Sequence, residues 1–148
     1  MDRVSKFNLI KKVDSKQDKV VTEATIKLLT PYLDKTHTIT ADNGKEFAGH
    51  EILSKQLETN VYFTHPYASW ERGLNENTNR LIRQYFDKGS SFENITSEDV
   101  EAVMNKLNHR PRKTLNYNTP YTVFFNNTER EAAWLLELLF RVESTLLL

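Results

Sequence analysis

Two carboxylates have the type and spacing to do chemistry together. Asp42 follows a short β-branched run, Thr36–Ala41, and opens the turn tripeptide Asp42-Asn43-Gly44. Glu76 lies on the polar face of an amphipathic segment further along the chain. Carboxylates brought together from different elements can hold divalent cations. Mg²⁺ prefers hard oxygen ligands and keeps waters and substrate phosphates in its shell. Two such ions stabilise the attacking and leaving oxygens of an in-line phosphoryl transfer. That chemistry needs no nucleophilic side chain, which suits a chain with no cysteine. Each acid also has an ordinary reading. An Asp before Asn-Gly forms turns, and a Glu with an Arg four residues later forms a helix ion pair.

Cations accompany these acids. Over 70–86 (WERGLNENTNRLIRQYF), Leu74, Thr78, Leu81, Ile82 and Tyr85 fall in one helical stripe, and Arg72, Glu76, Arg80 and Arg83 fall opposite. The back of such a helix packs on a sheet and its front faces an anion. Between Ala102 and Thr128 there is no acid, but there are Lys106, Arg110, Arg112 and Lys113. A local basic stripe can serve phosphates even when 20 basic and 20 acidic residues leave the chain neutral.

The elements that must position these residues alternate. Residues 4–13 read as a strand with Phe7, Leu9 and Val13 on one side. Ser15 and Asp18 stand at capping-box spacing before a helix over 17–33, which Pro31 limits. A strand follows at 36–41, a short helix at 48–57 with Ile52, Leu53 and Leu57 inward, and a strand at 60–64 closed by His65-Pro66. After the helix over 70–86 and a loop over 87–96 comes a helix over 97–110, with Ser97 as N-cap and Val100, Val103, Met104 and Leu107 inward. Thr119-Pro120 opens a short helix at 120–125. This order predicts an α/β domain with a largely parallel core. Residues 129–148 are apolar on nearly all sides and end in three leucines, which predicts a helical tail, 128–148, buried against the core at 1–127 or against a partner, or else an extension foreign to that core.

Composition narrows the class. With 148 residues, 39% apolar and 27% charged, the chain can build one core and is neither disordered nor fibrous. The absence of cysteine excludes a disulfide scaffold, a thiolate zinc site and a Cys nucleophile. The start has no apolar signal core and no apolar run approaches a membrane span, so the expected location is the cytoplasm.

Two longer runs carry a family resemblance. Thr38-Ile39-Thr40-Ala41-Asp42-Asn43-Gly44-Lys45-Glu46-Phe47 resembles the second-aspartate motif of DDE transposases and retroviral-type integrases, and the run from Tyr62 to Asn77 resembles their glutamate motif. The wording HPYASWERGLNENTNRLIRQYF, then Lys88-Gly89, then Asn108-His109-Arg110-Pro111-Arg112-Lys113-Thr114-Leu115, is similar to insertion-sequence transposases of the IS-thirty family. Thr119-Pro120 and Phe124 resemble that family's closing motif, so the likeness covers about residues 2–127.

The resemblance implies a ribonuclease-H-like mixed sheet with flanking helices, Mg²⁺ (or Mn²⁺) dependence, and cutting and joining of element ends to target DNA in the bacterial cytoplasm, at the nucleoid. Asp42 and Glu76 would be the second and third acids of the triad, both metal ligands. Lys45, Arg72, Arg80 and Arg83 would face DNA phosphates, and Asn75 and Asn77 would orient the glutamate or touch DNA. His65 reads as a packed strand-end residue, while His37, His50 and His109 show no ligand spacing.

The family's first catalytic Asp lies upstream of the segment resembling Asp2–Phe7, so the leading strands and one metal ligand are expected to be absent from this chain. A sheet lacking them exposes an edge, which predicts either weak stability or pairing of that edge with another chain or with the apolar tail. Three functions compete: a transposase catalytic-core fragment impaired by itself; a non-catalytic DNA-binding or interaction remnant that pairs with full-length transposase or with its own copies; and a nuclease for RNA–DNA hybrids, against which the HPYASWERGLNE wording speaks.

Overall fold

A computed structural model of the chain describes residues 1–41, 44–65, 69–86, 94–126, 132–136, 138–139 and 145–147; at 69–72, at 74–75 and beyond 131 it describes the backbone alone. The predicted alternation is present. Strand β1 (Lys11–Val13) leads to helix α1 (Asp18–Leu29), strand β2 (Thr36–Ala41), helix α2 (His50–Gln56), strand β3 (Asn60–Phe63) and helix α3 (Ser69–Ile82). Helices α4 (Ser97–His109) and α5 (Pro120–Asn126) follow, then strands β4 (Ala132–Leu136), β5 (Leu138–Leu139) and β6 (Thr145–Leu147). The architecture is mixed α/β.

β2 is the centre of a parallel sheet ordered β3-β2-β4. Its register with β3 runs from Thr38 opposite Asn60 to Ala41 opposite Phe63. On the other side Thr36 lies opposite Ala132 and Ala41 opposite Leu136. β-Branched residues fill this strand because their stiff side chains suit a pleated surface covered on both faces. Ile39 and Ala41 are fully buried. A second, antiparallel sheet is ordered β1-β6-β5.

Two apolar clusters hold the helices to these strands. The larger gathers Phe7, Leu9 and Val13 with Val21, Leu29, Ile39, Phe47, Leu53 and Phe124. Phe7 stacks on Phe124 with centroids 4.5 Å apart and meets Phe125 edge-on at 5.6 Å. Such pairs add about 1 kcal/mol beyond the area they bury. The smaller cluster joins Ile10 to Ile82 and Phe86 below α3 and to Val100, Val103 and Leu107 of α4. The segment 7–10 therefore runs between both clusters, with Phe7 and Leu9 facing one and Ile10 the other.

Several expectations require correction. Residues 4–10 are not strand; the strand is confined to Lys11–Val13. Side chains of α4 take the place of a neighbouring strand. Asn8 N–H donates to Asn108 Oδ1 at 2.8 Å, and Asn108 Nδ2 donates back to Asn8 C=O at 2.8 Å. Ile10 N–H reaches Met104 Sδ at 3.3 Å. α1 ends at Leu29, and a 3₁₀ segment, Thr30–Lys35, carries Pro31 in its first turn. Its N-cap is Gln17, with no side-chain cap from Ser15. Thr96, not Ser97, caps α4, in a reciprocal box with Asp99. Ile52 (53% exposed) and Tyr85 (41% exposed) do not face inward, whereas Phe47 does.

The tail is corrected as well. Within 128–148 the described residues form strands, not a helix. An apolar run carries no period to choose between the two, and the free edge of β2 supplies backbone partners that decide for strand. The expectation that the tail pairs an open sheet edge is met: β4 lies parallel to β2 and β6 antiparallel to β1. No helix among the described residues is long and apolar enough to cross a membrane.

Candidate functional site

The carboxyl ends of β2 and β3 lie side by side, and this is where ligands collect in open α/β sheets. Beyond the last paired residues, Thr64 N–H donates to Ala41 C=O at 2.9 Å, which ties the two strand ends together. Thr59 and Ser54 secure the other end of β3. Ser54 Oγ donates to Thr59 C=O at 2.6 Å, and Thr59 Oγ1 to Thr36 C=O at 3.4 Å. Asp42 is the residue after Ala41 and lies outside the described residues.

Glu76 sits midway along α3 with an exposed side chain. The helix is held from behind by Thr78, Asn79 and Ile82, all buried, so the stripe read from the sequence does separate an inner face from an outer one. Arg80 is exposed on the same outer face as Glu76, and Arg83 is half-buried past the helix end. The side chains of Arg72 and Asn75 lie outside the described ones. Asn77, expected to serve the glutamate or DNA, accepts a hydrogen bond at 3.0 Å from Arg80 Nη2. This bond fixes the guanidinium along the helix while using only part of its donor set. Lys45 is exposed at the start of the 3₁₀ turn Lys45–Phe47, which Phe47 anchors in the core.

The donor set suits a hard divalent cation in kind: carboxylate oxygens, with no thiolate in the chain. No group of three His, Asp or Glu able to hold a metal gathers among the described residues. The histidines behave structurally. His50 packs edge-on against Phe63 at 5.0 Å, and His109 stacks on Tyr121 at 4.7 Å. His65, expected to be packed, is exposed.

The sequence reading missed what Asn108 and Arg112 do within the Asn108–Leu115 run. Asn108 is buried against Asn8, as above. Arg112 is half-buried and donates from Nη2 to Leu107 C=O at 3.3 Å. Burial, and then the neighbouring Arg110 cation, hold its guanidinium below the ordinary arginine range, an effect that Tyr85 opposes. The acid-free stripe was the available signal, but a stripe does not tell an inward cation from an outward one.

The chain belongs to the insertion-sequence transposases, in the group that includes the IS30 transposases. It is 48% identical over 123 residues to the transposase for insertion sequence element IS4351 of Bacteroides fragilis, a match covering 83% of this chain and 38% of that protein. It is 39% identical over 115 residues to the transposase for insertion sequence element IS1086 of Cupriavidus metallidurans, covering 78% of this chain and 34% of that one. Against transposase InsI for insertion sequence element IS30A of Escherichia coli it is 39% identical over 121 residues, covering 81% and 32%. The chain thus spans about a third of the length of these relatives. No protein-family model matches it.

Proposed function

We propose that this chain carries part of the catalytic core of a DNA transposase, built on a ribonuclease-H-like sheet, with Asp42 and Glu76 as ligands for Mg²⁺ or Mn²⁺. The observation that carries the proposal is the pairing of the β2 and β3 ends. Ala41 and Thr64 are hydrogen-bonded at the carboxyl edge of a parallel sheet, one residue before Asp42. The helix that follows β3 presents Glu76 on its outer face. Bound there, the metal supplies a Lewis acid that activates the attacking oxygen and stabilises the leaving one. The chain's own part is to hold the carboxylates and to guide the DNA backbone. Lys45, Arg72, Asn75, Arg80 and Arg83 are the residues proposed to meet phosphates, and the exposure of Lys45 and Arg80 supports this. The substrates are element ends and target DNA, the partners are DNA and further transposase chains, and the core is assigned to residues 1–127.

A second reading has its own observation. Exposed Lys45 and Arg80 can meet phosphates without any metal, and on this reading the chain binds DNA, or pairs with a longer transposase, without cutting. Nicking of supercoiled plasmid in Mg²⁺ or Mn²⁺ decides between the two. Metal-dependent product that disappears in Glu76→Gln supports the catalytic reading. Retention of DNA without product supports the second.

A further inference from the structure

A cavity of about 420 Å³ lies between the N-terminal turn, α3 and the turn that follows α4. It is separate from the carboxyl edge of the sheet. Its walls carry Arg3, Lys6 and Arg112, with Val4, Leu81 and Leu115 as apolar surface, and no acid lines it among the described residues. Asn77, next in sequence to Glu76, belongs to the same wall.

Both turns are fixed in shape. In the first, Asp2 N–H donates to Phe7 C=O at 2.8 Å and Lys6 N–H to Asp2 C=O at 3.0 Å, with Lys6 at φ 62°. The Asp2 carboxylate is buried, and its Oδ2 accepts from Ser5 N–H and Ser5 Oγ, while Oδ1 has no hydrogen-bond partner among the described residues. In the second, Arg112 N–H donates to Asn118 C=O at 3.0 Å, and Tyr117 N–H to Arg112 C=O at 2.9 Å. Asn116 and Tyr117 both take left-handed backbone angles there, φ 51° and 63°. For a bulky Tyr that conformation is costly and persists only where the surroundings impose it. Tyr117 is 71% exposed, an aromatic ring left at the surface of the turn that carries Arg112.

Cations without a lining acid select an anion. The cavity's apolar walls select more than a phosphate, because a duplex backbone meets a protein at its surface and inserts nothing. A pocket of this size takes a small organic group. Cations on the backbone side, an apolar slot and a nearby exposed ring are the parts from which proteins hold single strands.

We propose that this cavity holds an unpaired nucleotide of a DNA strand, its phosphate between Arg3 and Arg112 and its base against Val4, Leu81 and Leu115. This inference rests on the reading of the chain as a DNA-acting transposase core. It adds a subsite for strand that has left the duplex, one residue along α3 from Glu76. Half-burial of Arg112 supports it, because an anion there would relieve a guanidinium that has lost water without gaining a carboxylate.

The test is fluorescence anisotropy of the full chain with a labelled thymidine octanucleotide and with a labelled blunt duplex, in the absence of divalent metal. Arg112→Gln, and Thr114→Trp placed at the cavity wall, are compared with the parent chain, and thermal melts check that each variant folds. Thr114 is exposed, so the added ring blocks the cavity without entering the core. The expected result is about tenfold weaker binding of the single strand in both variants, with the duplex changed about twofold or less. Equal loss on both DNAs would make this a general phosphate clamp and overturns the proposal, as does no loss in Thr114→Trp. If the parent chain binds duplex but not the single strand, the subsite alone fails. If it binds neither, the DNA reading fails with it.

Discussion

At the scale of single residues, Glu76 separates chemistry from folding. Its side chain is exposed on α3, so Glu76→Gln is expected to leave the melting temperature nearly unchanged, within about 0.5 kcal/mol. Metal-dependent nicking should fall roughly 100-fold or more, since a lost metal ligand forfeits several kcal/mol of transition-state stabilisation. Retained activity in that variant would remove Glu76 from the site. Asn108 behaves in the opposite way. Asn108→Leu strips the buried N–H and C=O of Asn8 of their partners, and it should cost about 2–4 kcal/mol in denaturant unfolding while leaving the exposed Lys45 and Arg80 unaltered. Both residues occur in motifs that resemble the family's, and only their burial tells them apart.

At the scale of elements, the start of α4 offers a test with a defined sign. Asp99 accepts from the backbone N–H and the hydroxyl of Thr96, and these bonds hold its carboxyl below the usual carboxylate range. Its folded pKa is therefore lower than its unfolded one. The contribution is present above the ordinary carboxylate range and is lost as pH falls through it toward the folded value. Asp99→Asn should accordingly lower the melting temperature near neutrality and converge with the parent chain in acid. A constant difference across that window would show that the box is held by the hydroxyl alone. Thr96→Ala, which removes the cap itself, should cost about 1 kcal/mol at neutral pH. The helix was legible from the period of Val100, Val103 and Leu107. Its cap was misread by one residue because Thr96 and Ser97 are both cap formers, and only the backbone angle at Thr96 distinguishes them.

At the scale of the whole molecule, the two sheets are completed by the last strands of the chain. β4 pairs with the central strand β2, and β6 with β1. Leu135→Pro removes an N–H from β4 opposite Thr40 and fixes φ in a strand that covers one side of β2. It should lower the melting temperature and, by opening the β2 edge, raise the mass seen in light scattering as chains pair through it. A monomeric variant of unchanged stability would show that β4 adds nothing to the sheet.

Local patterns settled the order of strands and helices from β1 to α5, the inner face of α3 and the outward position of Glu76, because periodicity, β-branched runs and turn and cap residues are carried by short stretches of the chain itself. Motif wording pointed to the transposase family, which the relatives then showed. Tertiary structure decided the rest. Residues 4–10 lost their strand because Asn108 and Met104, about a hundred positions away, took their backbone hydrogen bonds. The apolar tail became strand because a sheet edge was open to it. Arg3 and Arg112 came to line one cavity although nothing between them in the sequence marks the pairing. Contacts of that range depend on which surfaces meet after the elements have formed, and no local pattern records them.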